Sequence, residues 1–234
     1  MAQTEASPGR IASAWLLVAA AVCWLVLAFG CGDAVNFLLV SHLGDFFPSL
    51  TLLNVIIAGF YAGTFVLNGV LLAAAVIHGR IVGSGNINAG LGNKPVSRLP
   101  LVACLAAVIV AYVVIRHVLP STSLLHAPTP RISTNLFLAS LLILARYVIV
   151  PIAEESLFRG WLWTGLQRHW GTLPTALLTS TFFLAIHVRP RLIVVLVPVA
   201  IILALARHFG QSVRASLALH MIYNLALEGL FWSP

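Results

Sequence analysis

The stretch PIAEESLFRG, residues 151–160, sets two adjacent carboxylates, Glu154 and Glu155, just ahead of a cation, Arg159. These are two of only six acidic residues in a chain of 234. On a helix, Glu155 and Arg159 stand at i and i+4 with the acid on the N-terminal side, the favourable order for an ion pair. Pairing keeps Glu155 ionised and holds its rotamer. Glu154 is turned away by about 100° and lies outside that pair, which leaves it able to take or give a proton as a general base or acid. The alternative is an ion pair that only ties helices together. Two acids where one would balance Arg159, and the cost of ionisable groups in apolar surroundings, count against it.

Two further segments carry groups that suit such chemistry. FFLAIHV places His187 four residues after Phe183, and LHMIYN places His220 and Asn224 one helical turn apart on the same face. His117 and His208, near the ends of apolar runs, read as ordinary core histidines. If residues 151–169 and 173–188 form an antiparallel hairpin, Glu154 and His187 lie about equally far from its turn at about 1.5 Å per residue, and so at one depth. The residue types also permit a zinc site built from His187, His220 and a Glu. No HExxH pattern supports that reading, and it leaves Asn224 without a task.

The elements that must position these groups are written in the composition. The chain is 60% hydrophobic and 8% charged, against roughly 25% charged in an ordinary soluble domain. Its mean hydropathy is +1.02. This predicts an all-α, polytopic transmembrane bundle. Apolar runs at 11–30, 51–77, 101–118, 132–150, 151–169, 173–188, 192–206 and 213–231 give seven to eight helices, with Pro151 either ending one helix or kinking a longer one. The run from Ile11 to Gly30 is long enough to span, so it reads as a retained helix and not a cleaved signal. Net charge is +7, but the basic residues are scattered between apolar runs, as loop arginines that orient a chain in a bilayer are. Nucleic acid is not an expected partner. The loop 78–98, rich in Gly and Asn, is expected to be irregular and mobile. Its Arg80, Lys94 and Arg98 favour the cytoplasm, while the loop 31–50, with Asp33 and Asp45, favours the outside. Cys23, Cys31 and Cys104 have no metal-ligand spacing.

EESLFR, FLAIH and HMIYN together resemble the EExxxR, FxxxH and HxxxN motifs of the CAAX protease and bacteriocin-processing (CPBP, or ABI) family, to which the Ras-converting CAAX endopeptidase belongs. The resemblance covers about residues 130–231 and divides the chain into N-terminal transmembrane helices with a polar loop, 1–130, and a catalytic helical core, 131–234, within one integral membrane domain. It implies a glutamic-type intramembrane endopeptidase that needs no cofactor or metal. Carried over by position, Glu154 and His187 activate the attacking water, His220 and Asn224 form the oxyanion hole, and Glu155 and Arg159 brace the site. The implied partners are the lipid bilayer and a membrane-attached protein or peptide, C-terminally tagged or lipidated, cut near a C-terminal tag or leader. The implied location is the cytoplasmic membrane of a bacterium. A non-catalytic immunity or assembly protein is the alternative from another class, and the full set of catalytic residue types argues against it.

Overall fold

The structure is a computed structural model that describes residues 8–46, 52–96, 102–110, 113, 140–141, 143–187 and 190–231. Among these residues there are eight helices and no strand. They are α1 (Pro8–Phe46), α2 (Leu52–Val82), the short α3 (Ile87–Gly90), α4 (102–110), α5, α6 (Thr172–Ala185), α7 (Pro190–Gly210) and α8 (Val213–Phe231). Helix α5 is continuous through Ala145–Ile149, Val150–Glu155, Ser156–Leu162 and Trp163–Trp170. The apolar runs at 101–118 and 132–150 fall partly, and His117 wholly, outside the described residues.

Helix α1 does not stop at Gly30 but continues to Phe46, so most of the expected loop 31–50 is helical. The first proline on that side is Pro48, and Gly32 packs against α2 instead of ending the helix. A Cβ on Gly63 would meet the Gly32 carbonyl at 2.6 Å, and one on Gly59 would meet Asn36 Oδ1 at 2.8 Å. Ala14, Ala21 and Ala28, spaced seven residues apart and fully buried, extend the same seam. In lipid, where apolar side chains gain nothing by leaving their solvent, such close backbone approach is what joins helices. Among the described residues, these two helices contain the spans long and apolar enough to cross a membrane, Ser13–His42 and Val55–Val82.

The α1–α2 pair docks on α5. Leu17 lies against Gly165, and Trp15 meets Trp170 edge-on at 5.3 Å. Trp24 Nε1 donates to His78 Nε2 at 2.8 Å, and the His78 ring stacks on Trp161 at 4.5 Å. The N-terminal helices thus back the segment that carries the two glutamates.

Helix α5 resolves the ambiguity at Pro151 in favour of one long helix. Proline lacks an N–H, and its ring crowds the carbonyl four residues earlier. The turn just before it, Ala145–Ile149, is π-helical and wider, which relieves that crowding. A second π-helical segment, Ser156–Leu162, follows the glutamates. The helix ends at Gly171, whose φ of 75° is a left-handed value that glycine accepts freely. Helix α6 starts at the next residue.

The loop 78–98 is more built than its composition suggests. Helix α2 runs on to Val82, and Asn86 Oδ1 accepts the N–H groups of Asn88 and Ala89, starting α3. Residues 92–94 lie on the start of α8. There Val213 N–H donates to Gly92 O at 3.1 Å, Lys94 N–H donates to Ser212 Oγ at 3.2 Å, and Arg214 bonds Asn93. The polar side chains cap helices here, where composition alone predicts a solvated coil.

The two glycines Gly63 and Gly69 of α2 separate packing from propensity. Gly63→Ala drives a Cβ into the Gly32 carbonyl, whereas a Cβ on Gly69 meets nothing within 4 Å. Gly63→Ala is expected to lower the thermal midpoint in detergent. Gly69→Ala should leave it unchanged or raise it, since alanine gains about 1 kcal/mol over glycine inside a helix. Equal midpoints for the two variants would remove the glycine seam as a stabilising contact.

Candidate active site

The predicted pair within α5 is present: Arg159 Nη1 donates to Glu155 Oε1 at 3.1 Å, with both side chains fully buried. Three other helices complete the environment. From α7, the Ala200 carbonyl accepts from Arg159 Nη2 at 3.4 Å. From α6, the Phe183 ring lies 4.6 Å beneath the Arg159 guanidinium carbon. From α8, His220 Nδ1 donates to the same Glu155 Oε1 at 3.0 Å. The bracing role read from the sequence therefore has a geometry, and His220 belongs to the brace.

Glu154 is buried beside this cluster, and its Oε2 has no hydrogen-bond partner. His220 Nε2 lies 3.9 Å from that oxygen, beyond hydrogen-bond length. His220 therefore gives one ring nitrogen to the braced Glu155 and turns the other towards the unbraced Glu154. This fixes the ring by two contacts that no motif spacing could show.

His187 stands two residues beyond the end of α6. Its Nδ1 lies 2.8 Å from Phe183 O. A carbonyl can only accept, so Nδ1 carries the proton, and in neutral imidazole Nε2 is then the acceptor. No hydrogen bond or ion pair joins His187 to Glu154. Instead the Phe183 ring links the histidines, with centroids 4.9 Å from His187 and 5.6 Å from His220. Asn224 Nδ2 donates to the Arg146 carbonyl in the first π-helical segment at 3.0 Å. An amide NH2 has two donors, so one N–H is anchored and the other is left for further use. The structure thus gathers Glu154, Glu155, Arg159 and His220 into direct contact. It ties His187 to them through Phe183 and fastens Asn224 to α5.

Among the described residues, no group of three or more His, Cys, Asp or Glu side chains is placed to hold a metal ion. Sequence reasoning also missed two contributors. Phe183 appeared only as a motif letter, yet its buried ring touches Phe158, Arg159, His187 and His220. Arg207 was grouped with loop arginines, but it is buried and donates to the Arg159 carbonyl at 2.7 Å. Its position inside the apolar run IILALARHF was the available signal, because an arginine there needs a partner.

Residues 136–226 match the family model described as Type II CAAX prenyl endopeptidase Rce1-like. The match spans all the motif residues above, and it bears out the resemblance to the CAAX proteases, a family of membrane-embedded helical endopeptidases. No curated protein and no solved structure matches this chain.

The brace makes a prediction of its own. Removing one partner of a buried ion pair typically costs about 3–5 kcal/mol, because the other charge is left uncompensated. Arg159→Ala is therefore expected to reduce folded yield and thermal midpoint sharply. Arg159→Lys keeps the charge but not the planar fork that reaches Glu155 and Ala200 together, and should fall in between. If both variants purify and melt like the parent, the pair braces nothing.

Proposed function

We propose, with residues 136–226 as an Rce1-like CAAX-protease domain, that this chain is a multi-pass intramembrane endopeptidase of the glutamic type. Its substrates would be membrane-attached proteins or peptides, C-terminally tagged or lipidated, cut near a C-terminal tag or leader. The observation that carries this reading is the buried cluster itself. Glu154 Oε2, buried and without a hydrogen bond, lies beside a second carboxylate, Glu155, whose Oε1 is held by both Arg159 and His220 while its Oε2 is likewise unpartnered. A purely structural ion pair has no use for the first.

In the proposed reaction, water lies between Glu154 and Nε2 of His187, the nitrogen left as an acceptor by the bond to Phe183. The water oxygen attacks the scissile carbonyl carbon while its proton passes to Glu154. The carbonyl π electrons move to oxygen, and that oxyanion takes hydrogen bonds from the free N–H of Asn224 and, with the His220 ring carrying a proton on both nitrogens and its Nδ1–H kept on Glu155, from Nε2 of His220. Collapse re-forms the carbonyl and breaks the C–N bond as the proton on Glu154 moves to the departing nitrogen. Glu155 and Arg159 stay as they are and hold His220 in place. No metal has a part in this scheme. In the bilayer, the N-terminus and the loop 78–98 are assigned to the cytoplasmic side.

The test uses the purified protein in detergent and an internally quenched, farnesylated peptide ending in a CAAX sequence, beside its unprenylated counterpart. Glu154→Gln and His187→Ala are each expected to cut kcat by about 100-fold or more, the usual worth of a positioned base. Full activity in either variant would sink the mechanism. Asn224→Ala should lower kcat by about 100-fold with KM nearly unchanged, as for loss of one oxyanion donor. A normal kcat combined with a lower melting point would instead show that Asn224 only secures the Arg146 carbonyl.

A further inference from the structure

Arg207 stands on the face of α7 that meets α5, seven residues after Ala200. These two residues hold Arg159 from opposite ends: the Ala200 carbonyl accepts from its guanidinium, and Arg207 Nε donates to its backbone carbonyl at 2.7 Å. That carbonyl is open to Arg207 for a specific reason. In an α-helix the N–H of Trp163 would bond Arg159 O, but here it goes to Phe158 O and Gly160 O. The wider register of Ser156–Leu162 passes over Arg159 O, and Arg207 takes it. The same guanidinium donates from Nη2 to Thr164 Oγ1 at 3.3 Å and faces the Trp163 ring at 5.7 Å. A side chain of α7 thus grips α5 just where its π-helical segment ends.

The grip is closed from the other side by the loop before α4. Gly92 has φ +62°, and a Cβ there would come within 2.3 Å of Arg207 Nη2. The Gly92 carbonyl in turn accepts from Val213 N–H at the start of α8, the helix that carries His220. A Cβ at Gly92 would both strain this positive-φ backbone and push the Arg207 guanidinium aside.

We propose that Arg207, seated under Gly92, is a positioning residue that holds the π-helical register of α5 and thereby aims Glu155 and Arg159 at His220. The proposal rests on the proteolytic reading for its kinetic consequence, but the register it describes exists without substrate. Loss of Arg207 leaves every reacting group in place while loosening their alignment. A misplacement of about 1 Å can cost about 100-fold in rate. The signature is a fall in kcat with little change in KM.

The test compares Arg207→Met, Arg207→Lys, Gly92→Ala and Gly85→Ala with the parent, in detergent, on the quenched farnesylated CAAX peptide. Gly85 also has a positive φ, +91°, but a Cβ there meets nothing within 4 Å, so it controls for backbone strain alone. Arg207→Met and Gly92→Ala are expected to lower kcat by about 10- to 100-fold with KM within about twofold. Arg207→Lys, which can still donate to the Arg159 carbonyl, should recover part of the loss. Gly85→Ala should match the parent. Hydrogen exchange over residues 156–164, measured on the same preparations without substrate, should quicken in Arg207→Met and Gly92→Ala only. Unchanged exchange and kcat in Arg207→Met would overturn the proposal, as would equal kinetic losses in Gly92→Ala and Gly85→Ala. A parent protein that cleaves neither peptide would count against proteolysis of that substrate class, and the exchange comparison would still decide the role of Arg207.

Discussion

A carboxylate and a guanidinium without access to water must find every partner inside the protein, and that requirement organises this molecule. Glu155 and Arg159 are fully buried. An ion pair in such a place gives back its desolvation cost only where geometry is good and the remaining donors and acceptors are met. Here α5 supplies the pair, α7 the Ala200 carbonyl, α8 the His220 ring and α6 the face of Phe183. Four helices converge on the two charges, and Glu155 Oε2 and Arg159 Nε are the polar atoms of the pair they leave without a hydrogen bond. The cluster that results leaves one carboxylate, Glu154, beside the committed pair but outside its hydrogen bonds.

The remaining helices give support of a different kind. Apolar side chains cannot drive helix association in lipid, so α1 and α2 meet through glycine and alanine and then press Leu17, Trp15 and the His78 ring onto α5. The back of the site is therefore close-packed, with Arg168 of α5 donating to the Val82 carbonyl at the end of α2. Its front is polar and held by named hydrogen bonds. Among the described residues, the N-terminal helices meet the segment carrying the glutamates by packing on α5.

Helix α5 departs from α-helical geometry on both sides of the glutamates, and each departure is coupled to a contact with another helix. The first π-helical segment precedes Pro151 and presents the Arg146 carbonyl to Asn224. The second follows Glu155 and presents the Arg159 carbonyl to Arg207. Wider turns move carbonyls out of their usual register. Here the displaced carbonyls are taken by side chains of α8 and α7, so the irregular backbone is itself part of how the site is held.

What the sequence determined by itself was whatever depends on spacing within one helix. The Glu155–Arg159 pair, the shared face of His220 and Asn224, and the helical, apolar character of the bundle all follow from a rise and rotation that every α-helix shares. The ordered set of three motifs pointed to the family on the same local footing. Expectations failed where local composition stood in for packing. The apolar run read as ending at Gly30 continues through Gly32, which marks a close approach to α2, and the Gly- and Asn-rich loop read as mobile coil but caps α3 and lies on α8. Only the tertiary structure decided that His220 bonds Glu155, that Phe183 joins the histidines, and that Arg207 is buried against α5. Apart from Phe183 with His187, one helical turn apart, those contacts join residues dozens of positions apart in the chain. They depend on how α5 to α8 cross and on a π-helical register stabilised by neighbouring helices, neither of which is encoded in any short stretch of residues.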